Sequence, residues 1–353
     1  MIATITSAAT LPWLGQIVDR YSVSGTIVFT SIMLALACGL LAYAPNIFVL
    51  LIALYGLRLF GQGMMSHISI TAMGKWFGPN RGKAVSIAAL GFSAAQALLP
   101  FGFVILTGYI SWQQGWIVSA FITLFVALPM TYLLMKRERI PRGTVEPDAP
   151  DRTPIRQWTR AEMLRDHLFW ITCFGVLAPP FIGTAIFFHQ DFMLASKGWS
   201  LEVFAASIIV MTVVSVVTSL IVGVIVDRKN SLVVLPTFLI PLGVGCVVLG
   251  LGQSENTILI YMVILGIGNG ISSTVFGSVW PEVYGTKHLG AIRSLFMSLM
   301  VLFSALGPGI MGWMIDLRLS FPLQMYLFAG WSFAGAAALT YAAKAYQNRD
   351  NSP

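Results

Sequence analysis

The sequence predicts an all-α, polytopic membrane fold made of two pseudo-symmetric helical bundles, and three observations predict it. First, hydrophobic residues make up 57% and charged residues 10% of 353, with a mean hydropathy of +0.80. A soluble domain carries about 25% charge, so the lipid bilayer, and not water, must be the solvent over most of this surface. Second, the apolar runs are about 20 residues long, what a helix needs to cross about 30 Å of hydrocarbon. A membrane β-barrel would instead show alternating segments of roughly 10 residues. Third, Gly15-Gln-Ile-Val-Asp19-Arg20 returns as Gly223-Val-Ile-Val-Asp227-Arg228, 208 positions on, each copy closing an apolar stretch. The same offset relates Gly82 to Gly290, Ser86 to Ser294 and Pro100 to Pro308. A charged turn repeated at the ends of two spans indicates one helical plan used twice.

Taken in order, spans are expected at 1–18, 25–43, 47–72, 84–107, 113–135, 168–194, 202–226, 231–251, 257–280, 290–313 and 320–343. Each is an apolar run bounded by charge, Pro or Gly. They group into an N-terminal bundle (1–135), a linker (136–166), a C-terminal bundle (167–345) and a tail (346–353). The net charge of +7 does not call for nucleic acid. All of the Lys and Arg except Arg58, Lys197 and Arg318 fall in alternate connections. That segregation is the positive-inside rule, and it assigns the basic loops, the linker and the C-terminus to the cytoplasmic side of a cell inner (plasma) membrane. Trp112, Trp116, Trp199 and Trp280 fall near the expected interfaces and read as an aromatic belt.

The linker mixes basic and acidic residues with Pro141, Pro147, Pro150 and Pro154, a composition that cannot bury a core. Within it Trp158-Thr-Arg-Ala-Glu162-Met-Leu-Arg165 reads as a short amphipathic helix, with Thr159 as N-cap and Glu162 three residues on. Five spans precede the linker and six follow it. Under the 208-residue offset the partner of span 168–194 precedes Met1, so a twelve-helix plan is expected with its first helix absent from this sequence. A true eleven-span protein is the alternative. Cys38, Cys173 and Cys246 each sit alone in a span and read as packing residues. The N-terminus has no basic segment of the signal-peptide kind.

The turns Gly15, Asp19, Arg20 and Gly223, Asp227, Arg228 are the first functional candidates. A carboxylate at such a turn can accept hydrogen bonds from the free N–H groups at a helix start, the positive end of its dipole. The duplication pairs Asp19 with the start of span 290–313 and Asp227 with the start of span 84–107. That crossed arrangement would latch the two halves at the cytoplasmic side. The plain alternative is an orienting turn with no gating role.

Arg58 is the second candidate. It lies near the middle of its span, where an arginine costs roughly 2.5–3.5 kcal/mol on insertion scales. Tyr55, Arg58, Gln62, Ser66 and Ser69 recur every three or four residues and make one polar stripe on an apolar helix. Arg58 would bind a carboxylate-like substrate or bias a proton-carrying acid; otherwise it is a structural arginine bonded to buried polar groups. Gln96 is expected as a further cavity contact. His189, beside Thr184, Phe187, Phe188, Gln190 and Asp191, titrates near neutrality and could couple protons, although its place near the outer boundary favours an exposed histidine. Asn269 and Ser273, with Ser272 and amid Gly266, Gly268 and Gly270, serve either ligand binding or close helix contact. Glu282 reads as a loop anchor.

The sequence has no phosphate-binding GxxxxGK[ST], no HExxH, and no nucleophile–base cluster. No enzyme activity, cofactor or metal is expected. Energy would come from a gradient of protons or another coupling ion, or of a solute, by symport, antiport or uniport.

The two Gly-x-x-x-Asp-Arg turns and the basic central loop together resemble the major facilitator superfamily, over essentially the whole chain. Arg58-Leu-Phe-Gly61-Gln62-Gly63 resembles that family's Arg/Gly-rich fourth-helix motif. The first signature departs from pattern, continuing Tyr21-Ser22-Val23 where the family has Gly and more basic residues, and the second copy is shortened to Asp227-Arg228-Lys229. The loop pattern looks most like bacterial monocarboxylate and oxalate/formate porters. The drug-antiporter signature of the fifth helix is absent, since Leu99-Pro100-Phe101-Gly102 lacks its Gly; Gly307-Pro308-Gly309 lies in the eleventh instead. The resemblance implies a secondary transporter that moves a small organic solute by alternating access, with a monocarboxylate-like anion favoured by Arg58. The competing expectations are an efflux antiporter for amphipathic compounds, favoured by the Phe- and Met-rich spans, and a membrane sensor or inactive truncated form.

Overall fold

Helices follow one another through nearly all that the computed structural model describes, residues 2–78, 80–137 and 156–350. No strand occurs among the described residues. In order the helices are α1 (Ile2–Leu14), a single turn Ile17–Arg20, α2 (Val23–Ala42), α3 (Ile47–Trp76), α4 (Arg81–Thr107), α5 (Trp112–Met135), α6 (Arg160–Arg165), α7 (His167–Phe188), α8 (Gln190–Lys197), α9 (Leu201–Lys229), α10 (Ser231–Leu251), α11 (Asn256–Tyr284), α12 (Leu289–Asp316) and α13 (Phe321–Asp350). All eleven expected spans are helical. Among the described residues, α2, α3, α5, α7, α9, α10, α11 and α12 are long and apolar enough to cross a membrane. Of the others, α1 has only 13 residues, because Gly15 interrupts the expected 1–18 span. α4 has the length, at 27 residues. α13, at 30, is diluted by Gly, Ala, Ser and Gln, and runs through Asp350 into the expected tail. The linker prolines lie outside the described residues.

Polar side chains start the helices where the apolar runs begin. Ser22 accepts from Gly25 N, Asn46 from Phe48 N and Val49 N, Asp166 from Leu168 N and Ser200 from Val203 N. Ser111 and Gln114 form a reciprocal capping box. Four of the described helices depart from regular α geometry, among them α5, π-helical over Thr123–Ala127, and α10, interrupted by turns between Val234 and Leu239. α3 is π-helical over Leu57–Met65. α7 breaks at Leu177, where Pro179 and Pro180, which lack N–H groups, open a new helical segment.

The helices form two units. The first contains residues 1–79, 94–160 and 284–302. Its buried centre is Leu11, Val18, Val23, Ile27, Leu59, Met64, Ile68, Ala72 and Trp76. Gly56 and Gly63 let α3 approach α2 and α1 closely: a Cβ on Gly56 would lie 2.8 Å from that of Ala37, and one on Gly63 3.3 Å from Leu11. α5 presents Phe121, Phe125, Leu133 and Leu134 outward, an apolar face suited to lipid.

The second unit contains residues 80–93, 161–283 and 303–353. Here α13 packs against α7 and α10 through glycines, with Gly175 against Leu339, Gly243 against Phe333 and Gly250 against Tyr326. Phe181, Phe303, Phe328 and Trp331 form an aromatic cluster. Arg349 grips Asp166 with two hydrogen bonds of 2.7 and 2.6 Å, tying the end of α13 to the start of α7. Each unit includes a helix start from the other half of the sequence: α4 begins in the second unit and α12 in the first.

Two expectations are corrected here. Trp199 and Trp280 are not belt residues. Trp280 is buried against Phe169, and Trp199 is buried with its indole N–H directed at Gln253 O, because each packs where helices of the second unit converge. Lys197 and Arg318, two of the basic residues outside the segregated loops, sit at helix C-termini. Lys197 donates to Gly250 O and Gly252 O at the end of α10. Arg318 adopts φ 57° just past α12, with the N–H of Leu319 returning to Met314 O. Cations at helix C-termini are favoured by the dipole. All three cysteines are buried and free.

Candidate functional site

Two carboxylates each hold the start of a long helix. In the first unit the Asp19 carboxylate accepts from Gly290 N at 2.8 Å and from Ala291 N at 2.7 Å, one hydrogen bond per oxygen. In the second unit Asp227 accepts from Gly82 N at 2.6 Å and Lys83 N at 3.1 Å. These N–H groups lie in the first turns of α12 and α4, where none has a partner inside its own helix. The pairing follows the 208-residue offset at every position involved: 19 with 227, 290 with 82, 291 with 83.

Glycine makes both contacts reachable. A Cβ on Gly290 would lie 2.8 Å from Asp19 Oδ1, and one on Gly82 2.5 Å from Gly223 O. Gly15 and Gly223 serve the next turn: a Cβ on Gly15 would fall 2.2 Å from Ser294 Cβ, and one on Gly223 2.5 Å from Ser86 Oγ. Ser294 and Ser86 are themselves a pair under the same offset. So the repeated Gly, Asp, Gly and Ser are four parts of one joint. Arg20 and Arg228 are exposed beside the joints and make no ion pair or hydrogen bond among the described residues.

The surroundings of the two joints differ. Lys75 donates to Asp19 Oδ1 at 2.7 Å and to Val18 O at 3.3 Å, whereas the offset from Lys75 leads to Val283. Burial draws the Arg81 guanidinium below the usual arginine range, opposed by the neighbouring carboxylates of Glu282 and Asp227. Glu282 anchors the turn after α9 by accepting from Ser231 N at 3.0 Å and Ser231 Oγ at 2.5 Å.

The polar stripe on α3 is present, though on a widened helix. In a π-turn, residues five apart share a face more nearly than in an α-helix. Arg58 and Gln62 are both exposed and joined by a 2.7 Å hydrogen bond from the guanidinium to Gln62 Oε1. Tyr55 one turn earlier donates to Thr10 of α1 at 3.0 Å. Ser66 and Ser69 are half-buried. Arg58 makes no ion pair among the described residues, so its charge is held by an amide alone. The side chain of Gln96 lies outside the described residues.

In the second unit His189 is not an exposed histidine. It is half-buried at the break between α7 and α8, and its Nε2 lies 2.9 Å from Pro308 O. The region around that proline explains the arrangement. Pro308 has no N–H, so Ser304 O loses its regular helical donor. The Thr184 hydroxyl of α7 comes within 2.9 Å of Ser304 O, sharing its one hydrogen with Pro180 O at 2.6 Å. A Cβ on Gly307 would lie 2.2 Å from Phe181 O, which shows how closely α7 and α12 approach there. Asn269 reaches Met211 Sδ at 3.8 Å, and Ser273 bonds its own helix at Gly270 O. Cβ atoms on Gly266 and Gly270 would each come to 2.6 Å from α9 carbonyls. This stretch of α11 is a close helix contact. Among the described residues no hydrogen bond joins His189 to Asn269 or Ser273.

Sequence reasoning missed Lys75, His67, Ser298 and Arg160. His67 is fully buried with Nε2 3.1 Å from Gly15 O, and Ser298 donates to Ala8 O. Lys75 carried a signal of a kind, since it lies in the last turn of α3, beyond the expected span. The others carried none.

A family model described as Major Facilitator Superfamily matches residues 1–308. Among solved structures, the chain is similar to the human organic anion transporter MFSD10 (TETRAN), with a TM-score of 0.67 and 11% identity, over 99% of this chain and 81% of that one. It is also similar to the E. coli fucose:proton symporter FucP, with a TM-score of 0.68 and 13% identity, over 97% and 90%. No curated protein matches it in sequence.

Proposed function

The chain belongs to the Major Facilitator Superfamily, a family of multi-pass membrane transporters, and we propose that it moves a small organic anion, monocarboxylate-like in size and charge, by alternating access. The observation that carries the substrate class is Arg58. It is an exposed guanidinium in the middle of an apolar helix, with Gln62 as its hydrogen-bond partner and no acid among the described residues to neutralise it. An arginine so placed is tolerable when it faces an aqueous cavity, and there its planar fork fits a carboxylate. Gln62 and Tyr55 extend the same face and would orient the bound group. One structural neighbour is an organic anion transporter and another a proton symporter, which accords with an anionic solute driven by an ion gradient.

The joints at Asp19 and Asp227 are the gates in this reading. Each carboxylate holds a helix start of the opposite sequence half, so breaking the two pairs of hydrogen bonds frees the halves to part at the side carrying the basic loops. By the positive-inside rule that side is cytoplasmic. His189 fits a lesser role, steadying the carbonyl of Pro308.

Uptake of a radiolabelled carboxylate panel by proteoliposomes, with and without a pH gradient, tests the proposal. Arg58→Ala is expected to cut uptake of the preferred carboxylate about tenfold or more, the scale of one charge-assisted hydrogen bond. Carboxylate uptake that is absent, or indifferent to that change, overturns it.

A further inference from the structure

The structure assigns the linker residue Arg160 to the Asp19 joint, where we propose it is a positioning residue that holds the start of α12 against the carboxylate. Three acceptors converge on its guanidinium. Nε donates to Ala291 O at 3.0 Å, and Nη2 to Ser294 Oγ at 3.1 Å and to Pro12 O. Ala291 is also the residue whose N–H binds Asp19 Oδ2, so one residue of the helix start is held on both its backbone N–H and its carbonyl. Pro12 belongs to α1, and Ala291 and Ser294 to α12. Arg160 therefore braces the same helix start that Asp19 holds, from the helix that leads into the Asp19 turn. Partial burial draws its guanidinium below the usual arginine range, and the nearby Asp19 charge works in the opposite sense.

Residues just before Arg160 seat the linker on the turn that leads into α12. Gln157 Oε1 accepts from Thr286 N and Lys287 N, both at 3.0 Å. Trp158 N donates to Tyr284 O at 3.0 Å, and the two rings meet edge to face at 5.5 Å. Gly285 has φ 81°, and a Cβ there would fall 2.4 Å from Gln157 Oε1. This turn is shaped around a linker side chain. Among the described residues no linker side chain hydrogen-bonds Asp227; the guanidinium that faces it, Arg81, belongs to α4 itself. Among the described residues, then, the linker braces the Asp19 joint through Arg160, and the two duplicated joints have different surroundings.

The inference rests on the reading of the Asp19 turn as a gate, but its test does not require transport, so the two can fail separately. Hydrogen–deuterium exchange on the full chain in lipid nanodiscs reads the joints directly, through peptides covering 288–295 and 80–86. Arg160→Ala is expected to speed exchange at 288–295 about tenfold and leave 80–86 unchanged, since local opening at one joint need not open the other. Arg160→Lys, which keeps the charge but not the fork, should restore only part of the protection. In an Asp19→Asn background the effect of Arg160→Ala should largely vanish, because residues acting through one joint are not additive. Unchanged exchange at 288–295, equal acceleration of both peptides, or the same effect in both backgrounds overturns the proposal.

Discussion

At the scale of single residues, the molecule depends on carboxylates and glycines working together. A hydrogen bond to a charged acceptor contributes about 1.5–3 kcal/mol, and Asp19 and Asp227 each make two to backbone N–H groups. Asp19→Asn replaces one acceptor by an NH2 facing a donor, so that joint should be largely lost. The glycines give an independent check. Gly290→Ala puts a methyl 2.8 Å from Asp19 Oδ1, and is expected to mimic Asp19→Asn in both exchange at 288–295 and transport rate. Gly330→Ala meets nothing within 4 Å and should be neutral or stabilising by about 0.5–1 kcal/mol. Equal behaviour of the two alanine variants, in thermal stability and in rate, would contradict the steric argument.

Between elements, the contacts that matter most are those that close a helix end or repair broken backbone. Pro308 strips Ser304 O of its regular donor, and α7 answers with Thr184, at a point where Gly307 lets the two helices nearly touch. α12 stays helical through Pro308, and the hydrogen bond that proline removes from its backbone is replaced by the Thr184 hydroxyl of α7. Arg349 is the case most open to test. Its two hydrogen bonds to the buried Asp166 close the C-terminal helix onto α7. Removing one partner of a buried pair costs about 3–5 kcal/mol, and with Arg349 partly exposed the change Arg349→Ala is expected to cost about 2–3 kcal/mol, seen as a lowered Tm. A Tm equal to that of the unaltered chain would show the pair to be idle.

For the whole molecule, the twofold plan was legible because repetition leaves its mark in the residue types. Gly, Asp, Gly and Ser recur at one spacing, and the crossed partners of Asp19 and Asp227 follow from that spacing with no coordinates at all. The eleven helical stretches were legible for the simpler reason that bilayer demands long apolar runs. What stayed hidden was whatever a helix does by departing from regularity. The π-turn at Leu57–Met65, the break at Leu177 and the burial of Trp280 depend on which neighbour is packed against each site. Arg160 was hidden for another reason: a basic residue in a basic linker looks like topology, and only the carbonyls of Pro12 and Ala291 distinguish it. The candidate solute site is the least symmetric part. The offset from Arg58 leads to Gly266, a helix-contact residue, so no second guanidinium answers Arg58 across the repeat. In the proposed mechanism a solute at Arg58 would be gripped from one half of the sequence, while both halves would share the work of opening.

The measurement that tests this account most directly is carboxylate uptake by proteoliposomes carrying Asp19→Asn, Asp227→Asn or both, assayed against the same panel of competitors. Each single change is predicted to slow uptake about tenfold or more, the scale of one lost charge-assisted hydrogen bond, with the ranking of competitors unaltered, because in the proposed mechanism the joints set rate and Arg58 sets choice. Uptake at the unaltered rate in both single variants, or a changed ranking, would contradict it.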